Sequence, residues 1–333
     1  MARMKQIIQR LEVIIALLVV VVAALAVYIA YPSIKLYTQG QPFGKRLTGI
    51  NSPLNSQQLS VINSAPDSNY EIAGEKLLNL SIPGEQGQNN TYVGPLFQVS
   101  LNRPPQYNSL VIDGKPSVVY IGAISCIYCA ENRWAMALAL SRFGSFGNLY
   151  VGYSSMGDGD VPTLYWYPQN YTSNASVIYG NDYHSNYINF FSAEYDSPIS
   201  AGFEFPTLQD PISYFVEGAS NQSYKAAMQF MDAKHIFQGT PYTFWGTSAN
   251  IGADAVVFGN GTSQSAISNY PPLTYMTHSQ ILGLLKQANS TFAYEEYAAA
   301  DVYIAETCPS INNSAPICSL PAIAAMERRM GLA

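Results

Sequence analysis

The chain has 333 residues, a net charge of −6, and 11% charged against 48% hydrophobic residues. No basic cluster follows the first ten residues, which excludes the electrostatic footprint of a nucleic-acid binder. Tyr alone numbers 25, and Asn, Ser and Gln fill the loops, so solubility rests on neutral polar groups rather than on charge.

Residues 1–10 carry Arg3, Lys5 and Arg10 without an acid and read as a basic cytoplasmic tail. From Val13 to Tyr31 there is no charge, Gly or Pro, so residues 11–31 are expected to be a transmembrane signal anchor. By the positive-inside rule everything after it lies outside the cell membrane, in a single-pass arrangement. A cleaved signal peptide competes, because Ala24-Leu25-Ala26 has the small-x-small pattern, but the apolar run exceeds the usual h-region.

Residues 32–95 read as a polar stalk with short helices. Gly40, Pro42, Gly44, Gly49 and Pro53 break any pattern over 32–54, helical patterns follow at 56–63 and 70–79, and 84–95 reads as a loop. Eight Asn-x-Ser/Thr sequons, at Asn79, Asn89, Asn170, Asn174, Asn221, Asn260, Asn289 and Asn312, fit a glycosylated outer surface.

Residues 96–292 form the main domain, with an insertion at about 156–236. The string SLVIDGKPSVVYIG predicts two strands across an Asp113-Gly114 turn. The second strand runs into Cys126-Ile127-Tyr128-Cys129 and then strong helix formers to about Phe143, where Gly144 stops the helix. Cys126 therefore meets the N–H groups and positive dipole end of a helix, which favour its thiolate, and Cys129 sits one turn in. Such a pair can close into a disulfide or attack another one. Residues 148–155 are expected to be a strand parallel to 118–122, with a further strand at 188–195, a helix at 223–235, a strand at ADAVVFGNGTS and a helix 278–289 capped by Thr277.

Residues 293–333 form a C-terminal helical segment carrying Cys308 and Cys318. The two cysteines share a short Pro- and Asn-containing loop after a helix at 292–306, so a structural disulfide between them is expected. Zinc shared by both pairs is disfavoured by the nine-residue second spacing, and no metal or other cofactor is called for.

The strand–Cys126-x-x-Cys129–helix unit and Gly239-Thr240-Pro241 together resemble the thioredoxin fold. The resemblance implies an α/β layered domain in which the bond before Pro241 is cis and its loop, just ahead of the third core strand, faces the cysteines. Pro206 in FEFPT competes for that role but is followed by Gln209, Asp210 and Pro211 rather than by a strand. More closely, YIGAISCIYCAENRWAMALALSRFG, the Asp-Gly-Lys-Pro turn and the GTPY segment resemble an archaeal family of membrane-anchored thioredoxin-like proteins, domain of unknown function 929. The chain departs from thioredoxins at Tyr120, six residues before Cys126, where a buried Asp is common.

Single residues receive their ordinary reading. His184, His235 and His278 are expected on the surface or in loops, Arg133 and Trp134 to pack against or snorkel over the sheet, and Glu131 to complement the helix N-terminus. The favoured function is a membrane-tethered thiol–disulfide oxidoreductase acting on thiols or disulfides of exported proteins. Cys126 attacks, Cys129 resolves, and Thr240, Pro241 and Tyr128 shape the substrate groove. A non-catalytic surface protein with a permanent Cys126–Cys129 staple is the alternative. A copper-handling relative would need His or Met against the cysteines, and Met136 alone lies within twenty residues.

Overall fold

Strand β4 (Lys115–Ala123) organises the protein by alternation. Val118 and Tyr120 point into one apolar cluster, and Val119, Ile121 and Ala123 into a second. A strand buried on both faces belongs in the middle of a sheet. In a computed structural model, which describes residues 51–79, 90–94, 97–100, 110–124, 126–154, 161–168, 176–196, 211–233, 242–245, 249–251, 256–258 and 276–332, that is its position. The mixed sheet runs β12 (Ala249–Ile251), β11 (Tyr242–Trp245), β4, β10 (Asn189–Asp196), β8 (Ser176–Tyr179), with β3 (Val111–Ile112) also paired to β4. Strand β10 is parallel to β4, and β11 is antiparallel to it. The β3–β4 turn is as expected: Asp113 and Gly114 take φ of 51° and 78°, the left-handed pair that suits a two-residue hairpin.

Helices cover both faces. Helix α3 (Ile127–Leu140) and helix α7 (Thr291–Thr307) lie in the first cluster, and α4 (Pro211–Gly218) and α5 (Gln222–Ala233) in the second. Two N-terminal helices, α1 (Ser56–Asn63) and α2 (Asp67–Asn79), occupy the expected segments, and both feed the first cluster through Ile62, Tyr70, Ala73 and Leu77. The described end of the expected stalk is docked as well, since Leu54 N–H donates to Leu149 C=O at 2.8 Å. Within 84–95, read as a loop, Asn90–Gly94 is a strand, β1, paired with β2 (Phe97–Ser100). The predicted strand in ADAVVFGNGTS is β13 (Val256–Phe258), which joins β2 rather than the central sheet.

The expected partner of β4 is corrected. Residues 148–155 are not the parallel strand: β5 (Gly144–Asn148) pairs with β9 (Asp182–Ser185), and β6 (Tyr150–Tyr153) forms a hairpin with β7 (Pro162–Tyr165). Strand β10, from within the 156–236 stretch, takes the parallel place. The reason is burial on two faces. Phe190, Phe191, Ala193 and Tyr195 supply apolar surface to both sides of β10, whereas three of the four residues of β6 are only half-buried. The β6–β7 hairpin is held to the helix instead, through Trp134 Nε1–H to Pro162 C=O at 3.1 Å and Thr163 Oγ1–H to Ala130 C=O at 2.6 Å. Helix α3 ends at Leu140, a turn before Phe143, because Gly144 already belongs to β5, where a Cβ would stand 2.3 Å from His184 C=O.

Thr277 caps α6 (His278–Leu285) as expected, in a reciprocal capping box with Gln280. Helix α7 is buried almost all round, between α3, α2 and α8 (Pro321–Met330). Its C-terminus runs into the Cys308–Cys318 disulfide, Cα–Cα 5.7 Å, which holds α8 in place. Replacing both cysteines with Ser should lower stability by roughly 3 kcal/mol, the loop-closure value for so short a loop, while leaving Cys126 alkylation unchanged. Denaturant titration with and without the bond measures it; an unchanged midpoint would contradict it.

Of the sequons, Asn79, Asn221, Asn289 and Asn312 fall among the described residues, and all four are exposed. No helix of the described residues is long and apolar enough to cross a membrane, and the run from Val13 to Tyr31 lies outside them.

Candidate functional site

Cys126 is the N-cap of α3, with extended backbone, and its Sγ accepts the Cys129 N–H at 3.5 Å. Its sulfur thus occupies the place of an ordinary capping oxygen, facing the unpaired N–H groups of the first turn. Cys126 is half-buried, and Cys129 is fully buried, its Sγ accepting Ala123 N–H at 3.4 Å. Both are thiols in the structure. Burial pushes the Cys129 thiol well above its ordinary range, and the neighbouring Cys126 adds to the rise. The pair is asymmetric, with one cysteine half-buried and the other fully buried.

Behind Cys129 lies an ion pair that sequence reading missed. Arg133, four residues on and on the same helical stripe, is completely buried rather than snorkelling. Its Nε donates to Glu194 Oε1 of β10 at 2.9 Å, Nη2 reaches the same oxygen, and Nη2 also donates to Ala123 C=O at 3.1 Å. The guanidinium lies 5.7 Å from the centroid of the Tyr165 ring. Tyr120 Oη donates to Glu194 Oε1 at 3.3 Å. The signal that could have found the pair is a charge set inside otherwise apolar runs, Glu194 in INFFSAEY and Arg133 in RWAMALAL.

Glycine at 122 makes room for this arrangement. A Cβ there would stand 2.2 Å from Tyr120 Oη, because Tyr120 lies along the strand over its second neighbour. Glu194 is the register partner of Gly122, so its carboxylate and the phenol share the space the missing side chain leaves.

Glu131 faces the other way. Rather than sitting exposed at the helix start it is buried, Oε2 has no hydrogen-bond partner among the described residues, and its neighbours include Glu295 of α7. Burial, then the nearby Cys126 and Glu295, push its carboxyl up to about 8. Glu295 is likewise pushed up to about 8 by burial, with Lys76 opposing the rise. A carboxyl whose folded value lies above its unfolded one holds its proton more tightly in the folded chain. Its full contribution is therefore present below the ordinary carboxylate range and is lost as pH rises to about 8. The thermal midpoint should be several degrees higher at about pH 5 than at about pH 8, and Glu131→Gln should flatten the slope. A calorimetric series with no slope across that interval would contradict it.

Among the other expected site residues, Tyr128 lies in the first turn of α3 with its side chain outside the described residues, and Thr240 and Pro241 lie outside them too. Of the histidines, His184 is exposed and His235 lies outside the described residues. His278 is buried instead of sitting in a loop: its Nε2 lies 2.7 Å from Thr163 C=O and 2.9 Å from Gly152 C=O, and burial lowers it to about 4. Among the described residues no three of His, Cys, Asp and Glu converge as a metal would require.

Fold and site together define a mixed α/β protein with a dithiol at a helix start, one cysteine half-buried and one fully buried. The model of the family described as Domain of unknown function (DUF929) matches residues 106–304, and the chain belongs to that family. No curated protein and no solved structure matches the chain.

Proposed function

We propose that the protein is a membrane-tethered, extracytoplasmic thiol–disulfide oxidoreductase on a thioredoxin-like fold, acting through Cys126 and Cys129 on exported proteins. The observation that carries the reading is the asymmetry of the pair. A half-buried Cys126 sulfur caps α3, while the Cys129 sulfur is enclosed one turn in. The helix start favours the thiolate of Cys126, so it attacks a partner disulfide, and Cys129 resolves the mixed disulfide.

The sheet supports the rest. Tyr242, the residue after Pro241 in the chain, opens β11 opposite Ile121, at the end of β4 that leads to the cysteines. That connection supports Pro241 and Thr240 as walls of the substrate groove. The apolar run from Val13 to Tyr31 with its basic flank supports the tether, and the four exposed sequon asparagines fit an outer surface.

The test is catalysis by the full chain in both directions, insulin disulfide reduction with dithiothreitol and oxidation of a dithiol peptide with oxidised glutathione. At least one should be accelerated, and Cys126→Ser should abolish it. No acceleration of either reaction would overturn the proposal.

A further inference from the structure

The Asn-x-Ser/Thr triplets that begin at Asn221, Asn289 and Asn312 lie wholly among the described residues, whereas the one at Asn79 ends at Ser81, outside them. Such a triplet accepts an N-linked sugar only where a transferase can reach both its amide nitrogen and its hydroxyl. The fold treats the three differently. We propose that Asn312 is a glycosylation site, bearing a sugar on Nδ2 in the folded, exported protein, an inference that goes beyond the redox reading and rests only on its extracytoplasmic side.

At Asn221 the amide is a helix cap: its Oδ1 accepts Ser223 N–H at 2.8 Å at the start of α5, and Ser223 Oγ–H donates to Asp113 Oδ2 at 2.7 Å. At Asn289, Nδ2 donates to Gln287 Oε1 at 3.1 Å, while Ser290 accepts Ala293 N–H at 3.1 Å as the cap of α7 and Thr291 already belongs to that helix. Both triplets are built into helix starts. Asn312, Asn313 and Ser314 are all exposed, and neither the Asn312 amide nor the Ser314 hydroxyl has a hydrogen bond among the described residues. The backbone that presents them is nonetheless fixed. Asn312 and Asn313 take φ of 52° and 53°, Ser314 N–H donates to Ile311 C=O at 3.2 Å, Asn313 Nδ2 donates to Glu327 Oε2 at 3.2 Å, and the Cys308–Cys318 bond closes the loop. Asparagine suits a left-handed turn on its own account. That need does not extend to Ser314, whose hydroxyl takes no part in the turn.

The co-substrate is a sugar carried on a lipid phosphate, and the reaction is a substitution without change of oxidation state. Asn312 Nδ2 attacks the anomeric carbon, the nitrogen–carbon bond forms, and the carbon–oxygen bond to the phosphate breaks with its electron pair left on the phosphate oxygen. One amide proton goes to solvent. The Ser314 hydroxyl is the group by which a transferase recognises the triplet. Because all three residues face solvent, the added sugar displaces no core contact.

The test has two arms. In the first, the folded full chain is incubated with a single-subunit oligosaccharyltransferase that reads Asn-x-Ser/Thr and with a lipid-diphosphate-linked oligosaccharide, and the glycopeptides are weighed. Asn221 and Asn289 must first release their helix starts, so Asn312 should be modified about tenfold faster than either. Ser314→Ala should abolish its modification and Ser314→Thr should preserve it. Free peptides carrying the three triplets should be modified at similar rates, which assigns the selectivity to the fold. Equal rates at the three asparagines of the folded chain, or a folded chain left bare at Asn312, would overturn the site. In the second arm, the full chain recovered from the membranes of the cells that make it should carry the sugar on the Asn312 peptide. A bare Asn312 peptide in a chain that protease cleaves from outside would overturn the site and leave the extracytoplasmic reading standing. A domain protected from that protease would overturn both.

Discussion

Cys129→Ser should accumulate mixed disulfides with exported proteins through Cys126, and Cys126→Ser should accumulate none. The expected difference is close to all-or-none. In the first variant the sulfur at the helix start still attacks, but the thiol that would release the partner is gone. In the second, the remaining thiol is fully buried and lies above its ordinary range, so it neither reaches a partner disulfide nor ionises readily. Non-reducing electrophoresis of the two variants, with mass-spectrometric assignment of the linked cysteine, measures it. Equal capture by both, or capture by neither, would contradict the assignment of roles.

The second large effect concerns stability. Arg133→Met should destabilise the protein by about 3–5 kcal/mol, because Glu194 is then left as a buried charge without its counter-ion. Replacing both residues with apolar side chains of similar volume should recover much of the loss, since the cost of enclosing two charges disappears with them. A double-mutant cycle by denaturant unfolding reads the coupling directly. Additive losses in the double variant would contradict the view that the two residues act as a buried pair.

What could be read from the sequence was local. Cys126 at the helix start, Thr277 as the cap of the next helix, and the Asp113-Gly114 turn each declare themselves within a few neighbouring residues, and each stands in the structure where the pattern put it. The Cys308–Cys318 bond closes a loop of similar scale. The Arg133–Glu194 pair spans 61 positions, and although each charge stands inside an apolar run, nothing near either residue says which distant group is its partner. The same holds for Glu131, whose position near the helix start suits an exposed acid until α7 packs over it. The parallel partner of β4 was misread because 148–155 follows the helix directly, the usual cue for a crossover strand. Two-sided burial along β10 outweighed that proximity, as it must for a central parallel strand.

The central claim is that Cys126 and Cys129 form a reversible redox couple distinct from the structural Cys308–Cys318 bond. Equilibrating the full chain in graded mixtures of reduced and oxidised dithiothreitol, quenching with acid, alkylating and weighing the cysteine peptides tests it most directly. The account predicts a single two-electron transition confined to Cys126 and Cys129, with Cys308 and Cys318 bonded throughout. A Cys126–Cys129 bond that resists reduction until the chain unfolds, or a pair that never closes, would contradict it.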